Sequence, residues 1–386
     1  GNGRVWGINP EEKTTLYPGL MRWSLADQEN TNINQINRFY PLNTQTIDKS
    51  FGTIQRLITM GRQLITVQNN ACGQFGVYAK FVQSGSSNLL TTTDEILTQN
   101  NVSYYEGRFG CGDQYTGVFK GRNCIYFTDP VRGYDLRLVP KGDGITPISE
   151  IYKGQFYIQP LFVPYNNYYL RPDGSRAKII GAYNFFEEEA VKSLQSGSLL
   201  DKSIKAHTFS FNEKRNAYCT FFHFLDPDWL ASGQDLFISW KNGEMYIHNN
   251  EEKWGFFYGE QFYPSITLVF NDKIGISKTF QALSYQSEGK YWIAPNLGDV
   301  ITNQKNMQTL LPQISSLKNW NVSVDENKTN LYFNRDANSM NDQRLGLVNG
   351  DYLKGSALAV TLTYIGSDFS FIYLPYVNWI PSPRNY

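Results

Sequence analysis

Short apolar runs, interrupted every few residues by turn-forming residues, constrain the fold of this chain more than any other feature. Arg56 to Thr59 is followed by the turn Met60-Gly61-Arg62 and then by Gln63 to Gln68, and a further run extends from Phe75 to Phe81. Runs of this length between turn residues are typical of β-strands, because a helix needs a longer uninterrupted amphipathic segment. This segment therefore predicts a three-stranded meander.

Two similar hairpins occur far apart in the chain. The first places Ile125-Tyr126-Phe127 before Tyr134, and the second places Leu236-Phe237-Ile238 before Glu244-Met245-Tyr246. The second hairpin turns at Asn242-Gly243, a pair that tolerates the positive φ angles of a tight hairpin. This weak internal repeat favours radial repetition of small sheets, as in a β-propeller, and a meandering β-sandwich is the alternative.

The predicted fold class is mainly β. Aromatic residues make up 15% of the 386 residues and charged residues 18%, a composition that suits half-buried sheets. We predict a β-propeller-like meander of small antiparallel sheets over residues 1–264, followed by a β-sandwich-like C-terminal region over residues 265–386, where the connections become longer. The apolar end from Pro375 to Pro381 is predicted to dock against a core or a neighbouring subunit.

Two helical stretches are expected within this β pattern. Phe185 to Leu194, part of a short helical insertion near residues 184–200, begins with Glu187-Glu188-Glu189 and has Lys192 near its end, which matches the helix dipole. Gln304 to Leu317 contains Pro312, which predicts a short or broken helix.

The charge balance limits the partners of the chain. Lysine plus arginine and aspartate plus glutamate each number 35, so no net field draws the protein onto nucleic acid or an anionic membrane. No apolar run approaches the roughly 20 residues that a membrane-spanning helix needs. A surface poor in charge suits contacts between subunits, where charged residues are depleted.

The sequence lacks the standard motifs of catalytic and metal-binding sites. The four cysteines, Cys72, Cys111, Cys124 and Cys219, lack zinc-site spacing and predict free thiols, with a Cys111–Cys124 disulfide as the alternative. Phosphate loops, nucleophile elbows, metalloprotease helices and EF-hand loops are absent from the sequence. We therefore predict no catalytic, cofactor-binding or metal-binding residues, and no cofactor.

Two sets of residues support alternative functions. Asp226 and Asp228 flank Pro227 near several aromatics and could serve a glycosidase, although a turn or cap is the commoner use of such a pair. Tyr165, Tyr168, Tyr169 and Trp254 belong to aromatic clusters that could stack sugars of a host-surface glycan, although packing contacts are the commoner use.

Local strings spread over nearly the whole chain resemble tail proteins of crAss-like bacteriophages. These strings are Gly3 to Pro10, Thr31 to Asn34, Asn37 to Phe39, Gly52 to Val77, Leu90 to Gln99, Tyr126 to Gly133, Thr208 to Glu213, Lys241 to His248, Tyr258 to Glu260, Ser265 to Asn271 and Tyr376 to Ile380. The resemblance implies a non-enzymatic structural protein of a short tail, in the nozzle or muzzle that continues the DNA channel below the portal. It also implies a virion location, and a ring of copies that contacts other tail and ring proteins and passing genomic DNA without sequence-specific binding.

Members of that family tend to be longer, with sequence upstream of the position that matches Gly1. We therefore expect Gly1 to arise by proteolysis and the N-terminal fragment of the precursor to remain in the particle as a partner. Intact-mass analysis of virion proteins should find this chain and the fragment separately. Detection of a single longer, uncleaved chain would contradict the expectation.

Overall fold

The protein, represented by a computed structural model, divides into two compact units, residues 1–249 and 250–386. The structure describes residues 17–25, 35–84, 87–112, 117–140, 144–151, 154–166, 169–233, 235–249, 254–273, 275–288, 292–293, 300–302, 321–323, 326–333, 349, 352–364 and 371–382. The fold is mainly β, with 53% strand and 8% helix arranged in many small antiparallel sheets. The sequence-predicted boundary after residue 264 falls inside the second unit.

The described residues of the first unit form three four-stranded sheets, one three-stranded sheet and two two-stranded sheets. Its strands are β1 Leu20–Arg22, β2 Thr44–Thr46, β3 Ile54–Met60, β4 Gln63–Gln68, β5 Cys72–Ser84, β6 Ser87–Tyr104, β7 Phe119–Lys120, β8 Ile125–Asp129, β9 Tyr134–Val139, β10 Gly144–Pro147, β11 Ile179–Asn184, β12 Glu189–Leu194, β13 Gly197–Leu199, β14 Lys202–Ile204, β15 His207–Asn212, β16 Ala217–Phe222, β17 Trp229–Ser232, β18 Phe237–Lys241 and β19 Glu244–Ile247. The larger sheets have the orders β3-β4-β5-β6, β10-β9-β8-β7, β11-β12-β15-β16 and β17-β18-β19. Neighbouring strands in these sheets are also neighbours along the chain, except that the β13–β14 hairpin lies between β12 and β15.

The sequence-predicted meander and both hairpins are confirmed. β3, β4 and β5 form the meander, and the repeated hairpins are β8–β9 and β18–β19. Asn242 and Gly243 adopt φ angles of 55° and 83°, as their hairpin turn requires. The two hairpins supply the second and third strands of their respective sheets, so the internal repeat reflects equivalent positions in two sheets.

The predicted helix from Phe185 to Leu194 is wrong, and with it the helical insertion near residues 184–200. The segment is a turn followed by β12, which pairs with β11 on one side and β15 on the other. Glu188 has a φ of 56°, and the Asn184 side chain accepts hydrogen bonds from the backbone N–H groups of Phe186 and Glu187. The acidic residues therefore shape a β-turn, and cross-strand pairing outweighs their compatibility with a helix dipole.

Helical structure occurs elsewhere in the first unit, in a segment where the sequence predicted none. The helices are α1 Gly154–Tyr157 and α2 Gln159–Phe162, and three short 3-10 helices lie at Lys49–Phe51, Ile148–Glu150 and Val163–Asn166. Pro160 lies at the start of α2, a position where its missing N–H costs no helical hydrogen bond. The second predicted helix, Gln304 to Leu317, lies outside the described residues.

The second unit contains two larger antiparallel sheets and one two-stranded sheet. Its strands are β20 Phe256–Phe257, β21 Glu260–Gln261, β22 Ser265–Phe270, β23 Lys278–Glu288, β24 Trp292–Ile293, β25 Val300–Thr302, β26 Asn321–Ser323, β27 Glu326–Tyr332, β28 Lys354–Gly355, β29 Leu358–Tyr364 and β30 Phe371–Pro381. The apolar end from Pro375 to Pro381 lies in β30, which pairs with β23. One core cluster joins Phe280, Leu283 and Tyr285 of β23 to Leu358 and Val360 of β29 in the other sheet.

A buried ion pair joins two of the sheets of the first unit. The ammonium group of Lys192 on β12 binds the Asp135 carboxylate on β9, and it also donates to the Phe127 carbonyl at 3.1 Å and the Thr128 hydroxyl at 3.0 Å. Tyr218 on β16 donates to the second Asp135 oxygen at 2.8 Å. Burial raises the pKa of Asp135 and lowers the pKa of Lys192, and the attraction between the two charges opposes both shifts.

Removing one member of this pair should destabilise the first unit strongly. We expect Lys192→Met or Asp135→Asn to cost about 3–5 kcal/mol, since each leaves a buried polar group without its partner, and the double variant to cost much less than the sum. Denaturant unfolding of the four proteins measures the coupling. Arg122→Met, which breaks an exposed pair with Glu188, is the control and should cost less than about 1 kcal/mol. If the double variant loses as much unfolding free energy as the two single variants together, the expectation is contradicted.

Candidate functional site

A cavity of about 420 Å³ lies among the first strands of four successive sheets of the first unit. Its lining comes from β3, the segment 117–120 that includes β7, the segment 178–183 that includes most of β11, and β17. Each of these four strands is the terminal strand of its sheet. Terminal strands have one side without a strand partner, where backbone N–H and C=O groups can bind loops or other molecules. On β3 one of these groups, the Ile54 N–H, donates to the Pro18 carbonyl at 3.0 Å.

Aromatic rings support one part of this cavity. Phe119 stacks on Tyr126 with ring centroids 5.3 Å apart, and Tyr126 stacks on Tyr183 at 6.0 Å. Phe119 and Tyr183 also line the cavity. A Cβ atom at Gly181 would lie 2.6 Å from Cδ1 of Phe119, so only glycine at this position leaves room for the Phe119 ring against β11. The stack gives the cavity a preorganised apolar wall.

The charged residues that line the cavity are all basic. They are Arg56, Lys120 and Lys178, and no aspartate or glutamate of the described part of the chain is among the lining residues. Arg56 and Lys120 form no ion pair with another described residue. Their charges are therefore available to attract an anion.

A second candidate surface is the outer face of the β17–β18–β19 sheet, defined by Trp229, Ala231, Ile238, Trp240, Met245 and Ile247. The register places Trp229, Trp240 and Met245 in one cross-strand row and Ala231, Ile238 and Ile247 in the next. Trp229 is 53% exposed, Met245 57% and Ile247 54%. All six side chains are apolar, a composition that is unusual for a solvent-facing sheet and typical of protein interfaces.

The opposite face of the same sheet forms a core. Leu230, Phe237 and Ser239 are buried, and the His248 ring lies 4.5 Å from the Phe224 ring and 5.4 Å from the Phe237 ring, measured between centroids. The Nε2 atom of His248 lies 2.7 Å from the Ser239 hydroxyl. This packing fixes which face of the sheet is presented outward.

Asp226 and Asp228, the candidate catalytic pair, position β17. Asp226, with a φ of 54°, accepts hydrogen bonds from the Ser196 backbone N–H at 2.6 Å and hydroxyl at 2.7 Å. Asp228 pairs with Arg171 at 3.0 Å and accepts from the backbone N–H of Asn242 at 2.7 Å. Both carboxylates thus bind groups that lie 14 to 57 residues away in the chain, rather than forming the local turn or cap that the sequence favoured, and neither lines the cavity.

Two of the candidate sugar-stacking tyrosines, Tyr165 and Tyr169, are buried rather than exposed. Tyr165 and Tyr169 are buried in one core cluster with Phe162 and Phe209, and Tyr165 donates its hydroxyl to the Gln195 carbonyl. Tyr168 lies outside the described residues. Trp254 is exposed but belongs to the second unit. Tyr165 and Tyr169 therefore offer no exposed stacking surface, whereas Arg56, Lys120 and Trp229, which the sequence did not single out for binding, line one cavity.

The remaining reactive groups are dispersed. Cys72, Cys111 and Cys124 are buried, Cys219 is exposed, and none of the four forms a disulfide. Cys111 and Cys124 pack in different core clusters, so the alternative disulfide is not formed. Within the described ranges, no group of three or more histidine, cysteine or acidic residues could hold a metal ion, and no helix is long and apolar enough to cross a membrane.

Comparison with known protein families gives no matching family model, and comparison with curated proteins gives no match.

His248 should make the β17–β18–β19 sheet sensitive to acid. Burial lowers the pKa of His248 to about 4, so the neutral ring is favoured in the folded protein. The free energy of unfolding that the neutral His248 ring contributes is fully present above the unfolded pKa of about 6.5. This contribution is lost as the pH falls toward 4, and the total loss is roughly 3 kcal/mol.

Unfolding free energies between pH 7 and 4 should therefore fall less steeply for His248→Gln than for the unchanged protein. Burial also lowers the pKa of His207, which lies in another sheet, so His207→Gln serves as the comparison for a general histidine effect. An identical pH dependence in His248→Gln and the unchanged protein would show that the ring is not buried in its neutral form.

Proposed function

We propose that this chain is a structural component of a short-tailed phage virion, located in the nozzle or muzzle that extends the DNA-ejection channel below the portal. Several copies form a ring around the tail axis and contact other tail and ring proteins. The observation that carries the assembly role is the outer face of β17–β18–β19, where six apolar side chains stand together with three of them more than half exposed. The resemblance of many local strings to tail proteins of crAss-like phages supports the virion location.

The outer face of β17–β18–β19 suits a permanent contact. Tryptophan and methionine are enriched in interfaces, and tryptophan is frequent among the residues that dominate binding energy. Burying a large apolar side chain contributes roughly 1.5–3 kcal/mol, so Trp229, Met245 and Ile247 together supply a substantial part of a subunit contact. A copy of the same chain or an adjacent tail protein is the partner in this proposal.

The charge balance suits a channel through which DNA moves. With 35 basic and 35 acidic residues the chain has no net charge, so the ring attracts passing DNA only weakly and does not hold it. In this proposal the lumenal surface is neutral or acidic. A continuous band of lysine and arginine along the lumen in the assembled particle would contradict it.

A propeller-like arrangement of the first unit is part of the proposal. Core clusters join β4 and β5 to β8 and β9, and join β7 and β8 to β11, β12 and β15, so that successive sheets pack on each other. The first strands of four sheets line one cavity, as the innermost strands of propeller blades do. In the second unit the core shared by β23 and β29, which belong to different sheets, supports a sandwich-like region.

Disrupting the outer face should weaken assembly without unfolding the protein. We expect Met245→Ser/Ile247→Ser to lower the affinity of self-association at least tenfold, because two exposed apolar side chains leave the contact. Sedimentation velocity of the full chain over a concentration series measures this change. Phe186→Ser/Leu200→Ser, which alters two exposed residues outside that face, is the matched control and should leave assembly unchanged. If both double variants self-associate with the same affinity, the outer face of β17–β18–β19 is not the subunit contact.

Cryo-electron microscopy of the intact particle tests the function as a whole. A closed ring of this chain on the tail axis, with the outer face of β17–β18–β19 in contact with a neighbour, is the expected result. Density confined to peripheral appendages would overturn the proposal and make host-surface glycan binding the leading function.

A further inference from the structure

The cavity among the first strands has the dimensions of a small-molecule site. Its volume of about 420 Å³ falls within the range of roughly 300–1,000 Å³ that ligand pockets occupy. It is lined by residues from four segments that are far apart in the chain, so it exists only in the folded first unit. Its position differs from that of the subunit contact proposed above, except that Trp229 borders both.

The charge of the cavity selects for an anion. Arg56 and Lys120 come from different sheets, and Lys178 adjoins a third. A ligand carboxylate or phosphate near Arg56 and Lys120 would gain charge-assisted hydrogen bonds, which are stronger than those between neutral groups. Since no described acidic residue lines the cavity, no negative charge of the lining repels a ligand anion there.

The other lining groups select for a ring that carries hydroxyl groups. Trp229 and Leu57 line the cavity and are 53% and 47% exposed, so they offer apolar contact area to a ring face. The terminal strands present alternating backbone N–H and C=O groups. Hydroxyl groups both donate and accept hydrogen bonds, so a sugar can satisfy both kinds of backbone group, whereas an apolar ligand satisfies neither.

We propose that this cavity binds an anionic sugar, with the carboxylate or phosphate held by Arg56 and Lys120 and the ring lying against Trp229. The site needs no second copy of the chain, and of the residues of the proposed subunit contact it uses only Trp229. A uronic acid and a sugar phosphate share the required chemistry, and the experiment distinguishes them.

Binding is measured on the full chain by isothermal titration calorimetry with glucuronic acid, glucose 6-phosphate, glucose and inorganic phosphate. At least one of the two anionic sugars should bind at least tenfold more tightly than glucose and than inorganic phosphate, because only it engages both the cations and the ring-binding wall. The anionic sugar that binds more tightly shows whether the site prefers a carboxylate or a phosphate. Three outcomes would overturn the proposal: glucose binds as tightly as both anionic sugars, inorganic phosphate binds as tightly as both anionic sugars, or neither anionic sugar binds.

Two variants assign the binding to this cavity. Arg56→Gln/Lys120→Gln should weaken binding of the anionic sugar at least tenfold while leaving self-association unchanged, since neither residue belongs to the outer face of β17–β18–β19. Lys202→Gln/Arg215→Gln removes the same charge from exposed positions that do not line the cavity and should bind normally. Thermal melting confirms that both variants fold. Unchanged affinity in the folded Arg56→Gln/Lys120→Gln protein, or an equal loss in both double variants, would refute the site.

Discussion

The buried pair of Lys192 and Asp135 is the interaction on which the packing of the first unit depends. It links β12 to β9, and Tyr218 adds a third strand to the same carboxylate. Removing two charges from water is costly, and that cost is offset here by the Phe127 carbonyl, the Thr128 hydroxyl and the Tyr218 hydroxyl. Such a cluster tolerates little displacement, so it sets the position of one four-stranded sheet against the next. The aromatic stack of Phe119, Tyr126 and Tyr183 lies between the same two sheets and continues to the cavity.

The position of β17 connects the two candidate functional surfaces. Asp226 anchors the chain before β17 to Ser196, and Asp228 ties the strand entry to Arg171 and to the β18–β19 turn. Held in this way, β17 contributes Trp229 to the outer face of its sheet and to the lining of the cavity. Carboxylates that resemble a catalytic pair in sequence therefore have a structural effect, because they position the strand that carries Trp229.

Part of the candidate site followed from the sequence, and part did not. The sequence favoured a local turn or cap role for Asp226 and Asp228, whereas both carboxylates bind groups that are distant in the chain, which no local pattern predicts. The sequence favoured packing contacts over sugar stacking for Tyr165 and Tyr169, but it did not indicate whether those contacts lie in a core or between subunits, and the structure places both tyrosines in a core. Arg56 and Lys120 carry no local signal, because each is an isolated basic residue in a strand. Only the packing of separate sheets brings them to one cavity.

The sequence by itself determined the β3–β4–β5 meander and the β8–β9 and β18–β19 hairpins, because strand-length runs and pairs such as Asn242-Gly243 act over a few residues. Tertiary structure decided what those local signals leave open. Residues 189–194 became a strand because β11 and β15 offered hydrogen bonds on both sides, which a dipole-compatible helix could not match. The two faces of β17–β18–β19 both contain large apolar residues, and packing against Phe224 and His248 selected the one that is buried. Burial is a property of the whole packed unit, and no local pattern contains it.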